Sequence, residues 1–232
     1  MHKTLVVARK ETRELLRTKS TMFIGLAFAF FFSLLNALAI IKGKDSASAI
    51  SLDSSVFYLS TMVGLFIAYM STSQIFLREK ADRVIETLMC APVNLRQIWL
   101  GKVLGVSVPA YLLSLLTALL IIVISSILSS SLLLPTAAIL VHVLLVVPAL
   151  IAAFAGLLGF VQFWLGMRES RILNFVIFVP AFAILFSLGV QATFTSSWTQ
   201  VGILFAISLL LLAITAYITK YLSKERIVTT IP

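Results

Sequence analysis

Cysteine occurs once in this chain, at Cys90, and histidine twice, at His2 and His142. One thiol cannot close an intramolecular disulfide, and two distant imidazoles cannot build a multi-ligand centre, so no metal ligands are expected. Charge is scarce as well: Asp, Glu, Lys and Arg make up 12% of the residues against 60% apolar, with a mean hydropathy of +1.10. A soluble domain carries about 45–50% apolar residues, so this composition belongs to a membrane. Bases outnumber acids 18 to 9, yet they stand only between apolar runs and give no basic face on a soluble scaffold, so nucleic acid is not an expected partner.

The machinery for chemistry is also missing. No glycine-rich run ends in Gly-Lys-Ser or Gly-Lys-Thr, so the chain has no phosphate-binding loop with which to hold ATP. No apolar run contains Asp, Glu, Lys or Arg, which deprives an ion-coupled carrier of the intramembrane charges it needs. Paired carboxylates within a span, a histidine-glutamate metal motif and a nucleophile elbow are lacking, so an enzyme is not expected. His142 is the lone titratable group at depth and reads as a hydrogen-bonded helix residue. Asn36, Gln74, Gln162, Asn174 and Gln191 read as interhelical polar contacts. No substrate-binding residue is legible.

What is present is a series of long apolar runs. A helix crossing about 30 Å of hydrocarbon needs about 20 residues, and six runs qualify: 21–41, 55–77, 103–128, 136–165, 172–191 and 201–219. The uncharged stretch from Val103 to Met167 is too long for one span and divides at "SSILSSSLLLPT" around Pro135. The polar "TFTSSWTQ" separates the last two runs, as a turn or a re-entrant hairpin. Counting Lys and Arg between runs gives 16 on one side and 2, Lys42 and Lys44, on the other. Short cytoplasmic segments retain these bases, so both termini are expected in the cytoplasm, with the chain multi-pass in the plasma membrane.

Before the first run, residues 1–20 form a basic leader, and the run that follows is too long for a signal-peptide core. At 100° per residue Leu5, Ala8, Thr12, Leu15 and Leu16 share one arc, while Lys3, Arg9, Lys10, Arg13 and Arg17 gather on another. The spacing predicts an interfacial helix with its basic side toward anionic headgroups. Small residues recur at Ala149, Ala152, Gly156 and Gly159 and again at Gly101 and Gly105, allowing close helix approach. Pro109, Pro148 and Pro180 are expected to bend their spans.

The segment 78–102 holds eight charges between the second and third runs. Val84, Ile85, Leu88 and Met89 meet on one side of a short helix, and Lys80, Arg83 and Glu86 point elsewhere. Pro92 stops that helix; Asn94 as N-cap and Gln97 at the capping-box position start another, which continues through Trp99 and Gly101 into the third span. "EKADRVIETLMCAPVNLRQIWLGKVLG" resembles the cytoplasmic loop of ABC-2 family permeases, the membrane subunits of ABC exporters. The matching positions are Glu79, Lys80, Val84, Ile85, Glu86, Leu88, Pro92, Val93, Gly101 and Lys102. The wider layout is similar too: "KE" at Lys10 and Glu11, six spans, and "RESR" before a proline-containing fifth span. Arg83 stands where many ABC-2 members have glycine, and "EKADRVIE" looks more like the sodium- and drug-efflux branch, but only Lys42 to Asp53 lie where that branch often has a large outer domain.

The resemblance implies an all-α polytopic membrane protein of the ABC-2, type V exporter-like permease fold. Residues 1–20 would be the connecting helix and 21–232 a six-span domain with the coupling loop 78–102. Glu79, Lys80, Arg83, Val84, Ile85, Glu86, Leu88, Met89, Pro92 and Val93 would seat against a separate ABC ATPase. ATP and Mg would belong to that partner and no cofactor to this chain, and a second permease copy or paralogue would complete the pathway. The alternative is a membrane anchor or assembly subunit that docks a cytosolic partner without transporting anything. Drug, lipid, peptide, polymer and ion all remain open as substrate.

Overall fold

The computed structural model describes residues 2–42, 52–82, 94–130, 133–190 and 198–221. Apart from short caps and connections, those residues are helical, without a strand among them. In chain order they form α1 (His2–Arg17), α2 (Lys19–Lys42), α3 (Leu52–Ala81), α4 (Leu95–Ser129), α5 (Ala137–Trp164), α6 (Met167–Val190) and α7 (Trp198–Ile218), the last followed by a 3₁₀ turn, Thr219–Tyr221. Five of them, α2, α3, α4, α5 and α7, are long and apolar enough to cross a membrane. The molecule is a polytopic helical membrane protein. The remaining long helix, α6, carries Arg168, Glu169 and Arg171 in its first turns and an apolar sequence beyond. Most of the turn or re-entrant hairpin expected between the last two runs, 191–197, lies outside the described residues.

Local sequence explains the helix ends. Asn94 holds extended backbone angles as the N-cap of α4, and its N–H donates to Gln97 Oε1 at 3.4 Å, the reciprocal cap that the spacing predicts. At the other end Ser130 turns into the left-handed region at φ 51° and its N–H reaches Ile127 O, which stops the helix before Pro135. Pro148 has no N–H to offer the carbonyl one turn earlier, and α5 absorbs the defect as a π-turn over His142–Val146.

The bundle is arranged around α3, which packs against α2, α4, α5 and α6. Helix α2 lies close because Thr21, Gly25, Ala29, Ser33 and Ala37, all buried, repeat at four-residue steps along its inner face; Phe23, Phe30 and Phe31 project from the outer one. Its other two neighbouring phenylalanines turn inward, with Phe28 stacked on Phe66 at 4.5 Å and tilted on Phe32 at 4.3 Å. His142 is buried, stacked on Phe57 at 4.0 Å, with Nε2 2.9 Å from Thr61 Oγ1. Thr61 Oγ1 also lies 2.8 Å from Phe57 O, so this hydroxyl joins the imidazole of α5 to the backbone of α3.

Candidate functional site: a buried charge cluster at the basic end

Helix α1 ends at Thr18, whose N–H and Oγ1 both donate to Glu14 O, at 3.1 and 2.9 Å, before α2 begins. It lies along the start of α4 because Gly101 and Gly105 leave room for it. A Cβ at Gly101 would sit 2.7 Å from Val7 Cβ and 2.9 Å from Thr4 O; one at Gly105 would sit 2.5 Å from Glu11 Cβ. Such separations are below ordinary carbon contacts, so these backbones meet only with glycine at both positions. Thr12 Oγ1 then donates to Gly105 O at 3.2 Å.

This docking divides the apolar arc of α1. Ala8 and Leu15 are buried and Thr12 half-buried, as the periodicity predicts, but Leu5 and Leu16 are 60% and 50% exposed. The centre of the buried face is a carboxylate, Glu11, 2% exposed. A buried charge needs a partner, and Lys102, wholly buried on α4, supplies it with Nζ 3.1 Å from Glu11 Oε1. The same Nζ donates to Glu79 Oε2 of α3 and lies 5.7 Å from the centroid of the Phe76 ring. Lys10 closes the cluster from the outside, 3.6 Å from Glu11 and 3.7 Å from Glu79. Partial burial works against its charged form, but Glu11, Glu79 and Glu14 outweigh that and raise the Lys10 pKa above the ordinary lysine value. Two carboxylates and two ammonium groups thus balance at the junction of α1, α3 and α4.

The neighbouring Lys80, also fully buried, turns the other way. Its Nζ donates to Gln162 O at 3.3 Å and Leu165 O at 2.5 Å. These carbonyls belong to the C-terminal turn of α5, where unpaired oxygens and the helix dipole favour a cation. Ser170 Oγ donates to the same Leu165 O at 3.2 Å.

Of the residues expected to engage a partner, Glu79 and Lys80 therefore have intramolecular partners and little exposed surface. Arg83, Val84, Ile85, Glu86, Leu88, Met89, Pro92 and Val93 lie outside the described residues. Arg9, Arg13 and Arg17 are exposed on α1, whereas Lys10 belongs half to the cluster. Sequence periodicity overlooked the cluster's centre, although a signal exists: at 100° per residue Glu11 falls between Val7, Ala8 and Leu15, a carboxylate on a face about to be buried. Lys102, beside the two small residues Gly101 and Gly105, is the base placed to meet it.

The fold and this cluster define a class, a helical membrane protein whose spans are tied together at one charged end. No family model matches the chain, and no curated protein is significantly similar to it.

Proposed function

We propose that this chain is the permease subunit of an ATP-driven exporter of the ABC-2 type, working with a separate ATPase and a second permease copy or paralogue. In this reading α6 is the sixth crossing, both termini are cytoplasmic, and the basic end faces the cytosol of a plasma membrane. The 16-to-2 distribution of Lys and Arg supports that orientation and, with it, an even number of crossings. The sequence holds no fuel site, so work must arrive from outside the chain.

The observation that carries the proposal is the sharing of Lys102 between Glu11 and Glu79. Glu79 stands at the root of the 78–102 segment, Lys102 at its return, and Glu11 on the helix that leads into α2. A push on that segment cannot be confined to it, because its two ends and α1 share one buried charge cluster. Rigid-body displacement of the loop is then passed to α2, α3 and α4 together. Glu79 and Lys80 hold the root of this lever, and Val84, Ile85, Glu86 and Leu88 are the contacts offered to the ATPase.

Tagged full-length chain, co-expressed with the P-loop ATPase encoded nearest to it, tests the reading. Stable co-purification, abolished by Glu86→Ala or Leu88→Ala with membrane insertion unchanged, is the expected result. Persistent association in both variants removes the coupling assignment. Association without any solute-stimulated ATP turnover in liposomes favours the anchor instead.

A further inference from the structure

Outside the charge cluster, α1 and the end of α3 border an open groove of about 640 Å³, lined by Val6, Arg9, Lys10, Arg13, Glu14, Arg17, Thr18 and Arg78. Five of these side chains are basic and one is acidic. Lys10 and Glu14 are 4.0 Å apart and Arg78 lies 3.7 Å from Asp82. Arg9, Arg13 and Arg17 make no ion pair among the described residues. They repeat at four-residue steps, so three guanidinium groups line one side of the helix above the groove. Three unpaired guanidinium groups bordering one concavity repel each other until an anion enters, and their planar donor sets match phosphate oxygens.

The surroundings decide which phosphate. Thr18, at one end of the groove, is the hinge into α2, whose first turns present Phe23 and Ile24 outward, 73% and 42% exposed. Leu5 and Leu16 flank the arginines on α1 and are likewise exposed. An anion-binding site bordered by outward-facing apolar side chains at the foot of a membrane-crossing helix suits an amphiphile: charge in the groove, acyl chains along α2.

We propose that this groove is a discrete binding site for the phosphate headgroup of an anionic phospholipid, one per chain, gripped by Arg9, Arg13 and Arg17 of α1 and Arg78 of α3. It differs from general attraction of a basic helix to a charged surface in being saturable and in recruiting a residue from a second helix. The site does not rest on the transport reading and would serve an anchor equally well. Because Arg78 begins the 78–102 segment, an occupied groove braces α1 against the root of that segment.

The test uses purified full-length chain in nonionic detergent, titrated calorimetrically with dioctanoyl phosphatidylglycerol, dioctanoyl phosphatidylcholine and sodium phosphate. One phosphatidylglycerol per chain is expected, with phosphatidylcholine at least tenfold weaker and phosphate alone weaker still. Each arginine contributes about fivefold, so R13Q and R78Q each weaken binding by about fivefold and the triple variant R9Q/R13Q/R17Q by about 100-fold. K220Q, a distant basic-end control, stays within twofold of the parent. If the triple variant fails to fold, R78Q on the other helix carries the same expectation. Non-saturating uptake of several lipids, or equal losses in K220Q and R13Q, reduces the groove to surface charge and overturns the proposal. Phosphate binding as tight as phosphatidylglycerol marks a site for a free anion and overturns the lipid assignment.

Discussion

Helices α3 and α7 both qualify as membrane spans, yet α3 has a mean hydropathy of 1.4 and 83% of its apolar window buried, against 2.6 and 17% for α7. The less apolar helix is the enclosed one. Water-soluble proteins order their helices the opposite way, because burial there is driven by removing apolar surface from water. In lipid that driving force between helices vanishes, and contact goes to surfaces that pack closely or hydrogen-bond. Helix α3 brings small buried residues, Ser60, Ser71 and Thr72, that let its neighbours approach closely; Ser114 of α4 donates to the Ser60 backbone carbonyl at 2.6 Å, and Thr61 Oγ1 lies 2.9 Å from His142 Nε2 of α5. Helix α7 offers outward Ile203, Leu209, Leu210 and Ile214, which suit acyl chains or another subunit. The polarity of α3 culminates at its last turns, where Glu79 and Lys80 are enclosed by α1, α4 and α5.

The comparison breaks most sharply at the cluster. Removing Lys102 leaves Glu11 and Glu79 only the half-exposed Lys10 as a shared cation, and breaking a buried pair by deleting one partner costs about 3–5 kcal/mol. Lys102→Met is expected to lower unfolding stability in mixed micelles by that amount. Adding Glu11→Gln and Glu79→Gln to it restores most of the loss, because a neutral junction demands no counter-ion. A Lys102→Met variant as stable as the parent shows that the cluster is wetter than its burial indicates. Next in size is Gly105→Ala, which drives a methyl group into Glu11 Cβ and Ala8 O. Overpacking of this order costs about 1–3 kcal/mol, read in the same assay, and the same change at the open Gly202, where an added Cβ meets no described residue within 4 Å, leaves the transition in place.

Part of this was legible beforehand. Hydropathy found the runs that became α2, α3, α4, α5 and α7, since apolar length in lipid needs no tertiary context, and capping chemistry located the start of α4 at Asn94. The Gly101 and Gly105 pair signalled close approach, but its partner, α1, is not deducible from a stripe of small residues, which accepts any helix. The stripe on α5 likewise proved to serve different neighbours: Gly156 faces Thr215 and Trp99, and Gly159 the Phe76 ring. On α2 the repeat from Thr21 to Ala37 was hidden by the more conspicuous phenylalanines. Glu79 and Lys80 read as partner-facing charges of a coupling segment because the apolar run ends at Leu77, whereas α3 continues a full turn further, to Ala81. The enclosure of those charges depends on α1 and on the end of α5, which are distant in sequence. Residues 83–93 carry most of the coupling reading and lie outside the described residues.

Smaller effects sharpen the contrast between the enclosed and the outward helix. Thr72 is buried and its Oγ1 has no hydrogen-bond partner among the described residues, so Thr72→Val removes an unsatisfied hydroxyl at nearly constant shape and is expected to be neutral or stabilising by up to about 1 kcal/mol. A clear destabilisation indicates that water or an alternative conformation uses that hydroxyl. On α7, Leu210 is 60% exposed in the single chain, and Leu210→Ala is expected to shift stability by no more than about 0.5 kcal/mol. That value holds while lipid or detergent covers the face, because a methylene lost to an apolar solvent is replaced by the solvent itself. A loss well above it, dependent on protein concentration, places a packed subunit against α7, since only an interface that dissociates couples a single leucine to mass action.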